Sequence, residues 1–177
     1  QTEGGIGAEI GDCPWLSLVI RDNRGTDNRG QPPIIDTCRR LGYASSMPRV
    51  ARMVVPGMPH HITQRGNNRQ DVFFVDDDRR MYLRLLKERC EVSGVQVLAY
   101  CLMTNHVHLV AIPSSEESLA AAIGRTDFLY TQYINRMHRR SGHLWQSRCY
   151  SCALDDMHTW RAVCYTERNP VRTRMVR

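Results

Sequence analysis

Two histidines one residue apart, His106 and His108, lie in the apolar stretch MTNHVHLVAIP. On a strand, residues two apart point to the same face and stand roughly 6–7 Å apart along the chain. Both imidazoles could then converge on one divalent metal while Val107 and Leu109 pack behind them. A bare His-x-His pair also reads as two exposed imidazoles on a sheet face. A second constellation lies near the C-terminal end, where Tyr165 and Asn169 are four residues apart in a helical pattern. That spacing places them on one helix face with Cβ atoms ~5–6 Å apart. The phenol could serve as a nucleophile and the amide oxygen as a third metal ligand. A phenol of pKa near ~10 is a weak nucleophile at neutral pH, and a metal-polarised phosphate beside it would supply the activation. The same two residues read equally as an amphipathic core tyrosine and a helix stop before Pro170.

Elements must bring these groups together, and the pattern from Met47 onward alternates strand and helix. His60–Arg65 reads as a strand closed by the Gly66-Asn67-Asn68 turn signal. Asp76–Ser93 is helical, with Met81, Leu85 and Cys90 beside Tyr82, Leu86 and Arg89 at spacings of three and four, acids opening it and Gly94 closing it. Val95–Met103 and His106–Pro113 are apolar strands separated by Thr104-Asn105, a hairpin signal. Glu116–His138 is a second helix, with Leu119, Ala122, Ile123, Tyr130, Tyr133 and Ile134 as its inner stripe. Leu144–Leu154 is extended, and Asp155–Arg168 is a last helix stopped by Asn169-Pro170. This order implies an α+β fold, an antiparallel sheet with helices on one face, close to a ferredoxin-like sandwich.

Composition bounds the partner. With 177 residues, 42% hydrophobic and 24% charged, the chain suits one soluble domain. No apolar run approaches the ~18–20 residues of a membrane span, and the opening residues lack a basic-then-apolar secretory signal, so the expected location is cytoplasmic. Residues 1–46 carry five Arg against six acids, which leaves 19 basic and 12 acidic residues, a net charge of +7, in the remainder. Of the 24 basic residues only Lys87 is a lysine. Arginine offers planar, bidentate donors suited to phosphate, and a basic domain of pI about 9.1 fits a polyanion. A GC-rich genome accounts for the arginine bias as well. The seven Cys are scattered and odd in number, unlike a disulfide framework. Residues 1–46, with an imperfect DNRG repeat and no sustained apolar period, read as a poorly ordered extension that precedes a native start at Met47.

From Met47 onward the chain resembles the REP-associated branch of the single-tyrosine HUH transposases. The resemblance rests on MPRVARMVVPGMPHHITQRGNNRQDVFF, AYCLMTNHVHLVAIP, YINRMHRRSGHLWQSR and YTERNPVR, in order over about 130 residues. It implies a ferredoxin-like palm, His106 and His108 as the HUH metal ligands, Tyr165 as nucleophile and Asn169 as third ligand. It also implies a divalent metal, Mg²⁺ or Mn²⁺, and single-stranded or hairpin DNA as partner. The implied reaction is transesterification through a 5′-phosphotyrosine. Two departures stand out: Cys149 replaces an aromatic usual in the family, and the region that often follows NPVR is absent, which reads as a C-terminal truncation. Monomer and homodimer both remain open. The rival reading is a non-catalytic DNA-hairpin-binding protein or a decayed transposase remnant.

Other groups weigh less. Arg65 joins a basic stretch of Arg136, Arg139, Arg140, His143 and Arg148, interleaved with Tyr133, Trp145 and Tyr150. Arginines there would hold phosphates, and each aromatic could stack on an unpaired base for ~1–3 kcal/mol; a solvated helix end with a core Trp fits the same residues. Cys149-x-x-Cys152 lacks the second pair that a structural zinc requires. His61-Ile62-Thr63 is half of a two-histidine phosphodiesterase signature whose other half is missing, which leaves His60 and His61 as strand residues lining the groove.

Overall fold

A computed structural model describes residues 53–172, with side chains as far as Arg168. The expectations for residues 1–46 and for a shortened C-terminus lie outside the described residues. The elements run β1 (His60–Arg65), α1 (Asp76–Ser93), β2 (Val95–Met103), β3 (His106–Pro113), α2 (Ser118–Met137), β4 (Tyr150–Ala153) and α3 (Asp156–Arg172). The strands form one antiparallel sheet in the order β2-β3-β1-β4. A βαββαβ chain in that order is the ferredoxin-like arrangement, so the expected α+β sandwich is borne out.

Alternation along each strand divides the sheet into two faces. Ile62 on β1 and Val107, Leu109 and Ala111 on β3 share a core with Tyr82 and Leu86 of α1 and with Leu119, Ile123, Tyr130 and Ile134 of α2. Both helices of the sandwich therefore cover this face. An aromatic cluster fills its centre: the Tyr82 and Tyr130 rings meet edge-on at 5.1 Å, and Phe73 meets Tyr82 edge-on at 5.6 Å. The Tyr130 hydroxyl donates to the Val72 carbonyl at 2.7 Å, which keeps a fully buried phenol satisfied. The opposite face carries His61, Thr63 and Arg65 on β1, across from Val110, His108 and His106 on β3. α3 packs over this second face, touching β2, β3 and β1, so the helices cover both faces of the sheet and not one as expected.

The helix ends follow from local chemistry. Asp78 accepts from the backbone N–H groups of Phe74 (2.8 Å) and Val75 (3.0 Å) at the start of α1. These are donors a helix start leaves over. Gly94 ends α1 in the left-handed region at φ 64, where a Cβ is disfavoured. Two further expectations change. The extended Leu144–Leu154 segment narrows to β4, because β1 gives way to Gly66 and the incoming chain makes only a Gly66–Trp145 bridge before pairing begins at Tyr150. α3 also continues through Asn169-Pro170 to Arg172 instead of stopping there. Pro170 cannot donate to the Thr166 carbonyl, so the last turn runs on without that bond.

Gly66 sits where two segments touch. A Cβ there would come 2.2 Å from the Gln70 carbonyl oxygen and 2.9 Å from Val72 Cγ1. Gly66→Ala is expected to destabilise the fold by about 1–3 kcal/mol, as overpacking does. Gly124, inside α2, would meet nothing within 4 Å, so Gly124→Ala is expected to stabilise by about 0.5–1 kcal/mol through helix propensity. Urea denaturation of the two variants reads the opposite signs directly; a neutral Gly66→Ala would contradict the close packing of this turn.

Candidate functional site

His106 and His108 project from β3, an interior strand paired on both sides, beneath α3. They are only 5% and 4% exposed. Their rings meet edge-on with centroids 4.9 Å apart, so the strand alternation does bring the two imidazoles together. Each ring is held through Nδ1. His106 Nδ1 lies 2.6 Å from Asn105 Oδ1, and His108 Nδ1 lies 3.2 Å from His61 Nε2. The His61 and His108 rings are parallel within 6°, with centroids 5.3 Å apart. In both histidines of the pair, Nε2 is buried with no hydrogen-bond partner.

Burial, then the positive charge of Arg65, holds His106 down to a pKa of about 4. Burial acts on His108 too, with His106, His61 and Arg65 adding to it, and its pKa lies well below the usual value. Burial likewise lowers His61. All three rings are therefore neutral near pH 7, the state in which imidazole donates a lone pair to a metal. Two unpartnered, neutral Nε2 atoms on adjacent rings are a donor set that fits a divalent cation with nitrogen and oxygen ligands.

α3 supplies the third component. The Tyr165 ring, half-buried, meets the His108 ring edge-on at 5.8 Å. Asn169 follows one turn later on the same helix, and its side chain lies outside the described residues. Among the described residues no group of three His, Cys, Asp or Glu could hold a metal ion. An amide such as Asn169 is the kind of ligand that would complete the pair.

A cleft of about 180 Å³ opens beside the histidines, and Arg65, Ser147, Arg148 and Tyr150 line it. Arg65 and Arg148 are exposed, so two of the expected phosphate-holding arginines stand at the site. Arg136, Arg139 and His143 are exposed in the stretch leading from α2 toward β4. Gln70 Nε2 donates to the His143 and Leu144 carbonyls, which places the end of this stretch beside the turn that follows β1. Arg140 is half-buried and engaged: it donates to Gln70 Oε1 and stands 5.0 Å over the Phe74 ring. Trp145 belongs to the core instead of to a stacking surface. It is 8% exposed, packs against Tyr82 and Tyr130, and donates from Nε1 to the Asp127 carbonyl at 3.2 Å. Tyr150, 41% exposed, is the aromatic that does face the cleft. Cys149 is buried in the core, whereas Cys152 pairs across from His61 on the other face, so the two thiols do not converge.

Sequence reasoning passed over Asn105 and the contact His61 makes. Asn105 reads as a turn residue, and nothing in spacing alone puts the β1 register opposite His108. The titration has a consequence for stability. Unfolded, His106 takes up a proton near 6.5, whereas folded it does so only near about 4. Between these values the unfolded chain binds more protons, so stability falls as the pH drops through the window. His106→Gln is expected to lose about 3 kcal/mol less than the parent chain between pH 7 and pH 4. Identical pH profiles for the two metal-free proteins, measured by urea denaturation, would show that His106 is not held neutral by the fold.

Similar proteins place the chain. The family model described as "Transposase IS200 like" matches residues 54–169. No curated protein sequence matches. The structure of a REP-associated tyrosine transposase bound to a REP hairpin is similar, with TM-score 0.60 and 17% identity, over 73% of this chain and 76% of that one. A Deinococcus radiodurans chain described as a candidate transposase aligns with TM-score 0.47 and 18% identity, over 67% of this chain and 95% of that one. At such identities the first likeness establishes the fold, and the family rests on the sequence model. Matched over roughly two thirds of its length, this chain belongs to the IS200-like transposase family.

Proposed function

We propose that the chain nicks and rejoins single-stranded hairpin DNA, with Tyr165 as the nucleophile, in the manner of the REP-associated branch of the family. One observation carries the reading: the Tyr165 ring lies against His108, one of two adjacent imidazoles whose buried Nε2 atoms have no partner. That His106, His108 and a phenol meet on one sheet face, beside a cleft edged by Arg65 and Arg148, supports phosphoryl chemistry over hairpin binding alone. The REP hairpin held by the fold relative supports a hairpin as the substrate.

His106, His108 and Asn169 would hold the divalent ion, Mg²⁺ or Mn²⁺. When bound, the ion supplies positive charge to the non-bridging oxygens of the scissile phosphate. Arg65 and Arg148 hold neighbouring phosphates and set the strand across the cleft. The Tyr165 oxygen attacks phosphorus in line as its phenolic proton passes to solvent water. The bond from phosphorus to the 3′-oxygen breaks, and that oxygen takes up a proton. The products are a 5′-phosphotyrosine and a free 3′-hydroxyl. One phosphodiester has been exchanged for another, so the 3′-hydroxyl of a second strand can attack in turn, releasing Tyr165 and joining new ends without ATP. α3 suits this role because it presents the phenol from a rigid element, where orientation lowers the barrier.

The test is a covalent adduct. The full chain, incubated with Mn²⁺ and a panel of single-stranded hairpin oligonucleotides, is expected to give a band resistant to denaturant and sensitive to protease. Tyr165→Phe removes one hydroxyl and should abolish the band while hairpin binding persists. His106→Ala and His108→Ala should each slow adduct formation by about 100-fold or more, as losing several kcal/mol of charge stabilisation does. An adduct in the Phe variant would assign the nucleophile elsewhere. Tight hairpin binding by the parent chain with no adduct on any substrate would favour the non-catalytic binding protein.

A further inference from the structure

Asn105 occupies the turn between β2 and β3, immediately before the histidine pair, and its side chain makes two hydrogen bonds. Nδ2 donates to the Arg69 carbonyl at 3.2 Å, and Oδ1 stands 2.6 Å from His106 Nδ1. A carbonyl oxygen only accepts, so the Arg69 contact fixes which way round the amide lies. Oδ1 therefore faces the imidazole, and it too only accepts, so His106 Nδ1 must carry the proton. A neutral imidazole has a single N–H. The bare lone pair is left on Nε2, the atom buried without a partner.

The Arg69 carbonyl is itself fixed in place. Asn68 and Arg69 both have left-handed backbones, at φ 51 and φ 60. Such a conformation is rare for residues other than glycine, and a cluster of it beside a site marks a turn held in one shape by its surroundings. Here the surroundings are the bonds from Arg69 N–H to the Gly66 carbonyl (3.0 Å) and from Gln70 N–H to the Asn67 carbonyl (2.9 Å). His108 differs in kind. Its Nδ1 faces another imidazole, His61, which can serve as donor or acceptor. Of the two histidines in the pair, His106 is the one whose tautomer is dictated by a group that does not titrate.

We propose that Asn105 is a positioning residue that locks His106 in the Nδ1–H tautomer, with the Nε2 lone pair presented to the site. For its consequence, a ready metal ligand, the inference rests on the function proposed above. The tautomer itself is a property of the metal-free chain, so the two can be tested apart.

The experiment is a long-range proton–nitrogen correlation spectrum of the full chain labelled with ¹⁵N-histidine, without metal, at pH 8. The parent chain is expected to show His106 protonated at Nδ1. Asn105→Leu keeps the bulk of the side chain and removes both polar atoms, and it should shift His106 toward a mixture of tautomers. Asn105→Asp retains an oxygen facing Nδ1 and should restore the single form. Mn²⁺ titration of the same samples should show the Leu variant weakened about 10–100-fold, the usual loss when a ligand's hydrogen-bonding partner is removed, and the Asp variant within a few fold of the parent. An Nε2–H tautomer in the parent chain overturns the proposal by itself, whether or not the variants fold. An unchanged tautomer in a folded Leu variant overturns it too. If the tautomer behaves as expected while the parent binds no Mn²⁺, Asn105 keeps its role and the metal-centre reading fails.

Discussion

The Nε2 atoms of His106 and His108 are buried between a sheet and a helix, beside a cleft, and have no hydrogen-bond partner. An unsatisfied buried polar atom costs about 1–3 kcal/mol, and here two lie on adjacent rings. Much of the surrounding structure works to keep them so. β3 is interior to the sheet and cannot twist away, α3 covers the face, and Asn105 and His61 occupy the other ring nitrogens. The core on the far side of the sheet anchors the strand from behind, because Val107 and Leu109 are each 1% exposed among α1 and α2 residues. Sites of this kind store a local cost that the rest of the fold offsets, and a cation bound there would relieve it.

Much of this was legible in the residues. The alternation of MTNHVHLVAIP suffices to put both histidines on one face, and the order of apolar periods suffices for a βαββαβ chain, since both follow from local geometry. Register does not follow. His61 sits across from Val110, one strand over, so its stacking on His108 depends on pairing that no single segment encodes. Asn105 looks like hairpin punctuation because its turn role and its bond to His106 use the same residue. Trp145 looks like a stacking aromatic because it stands among arginines, yet the core takes it: the chain must turn inward at the Gly66 bridge before β4 can pair. α3 runs on to Arg172 although Pro170 cannot donate to the Thr166 carbonyl, and no local signal in the residues announces that continuation.

Around the buried pair the charge is organised in two shells. Arg65 and Arg148 edge the cleft, while Arg136, Arg139 and His143 continue outward from the end of α2. Close to the rings, burial first and then the Arg65 charge hold His106 neutral; farther out, exposed positive charge suits a polyanion. No described helix is long and apolar enough to cross a membrane.

The proposed function requires that both imidazoles bind one divalent ion through Nε2 next to Tyr165. Pulsed electron paramagnetic resonance of the Mn²⁺-loaded protein tests it most directly, because nitrogen couplings report each coordinated imidazole. Couplings from two imidazole nitrogens are expected, with one lost in His106→Ala and one in His108→Ala. A Mn²⁺ spectrum free of nitrogen coupling, or one unchanged by both substitutions, would contradict it.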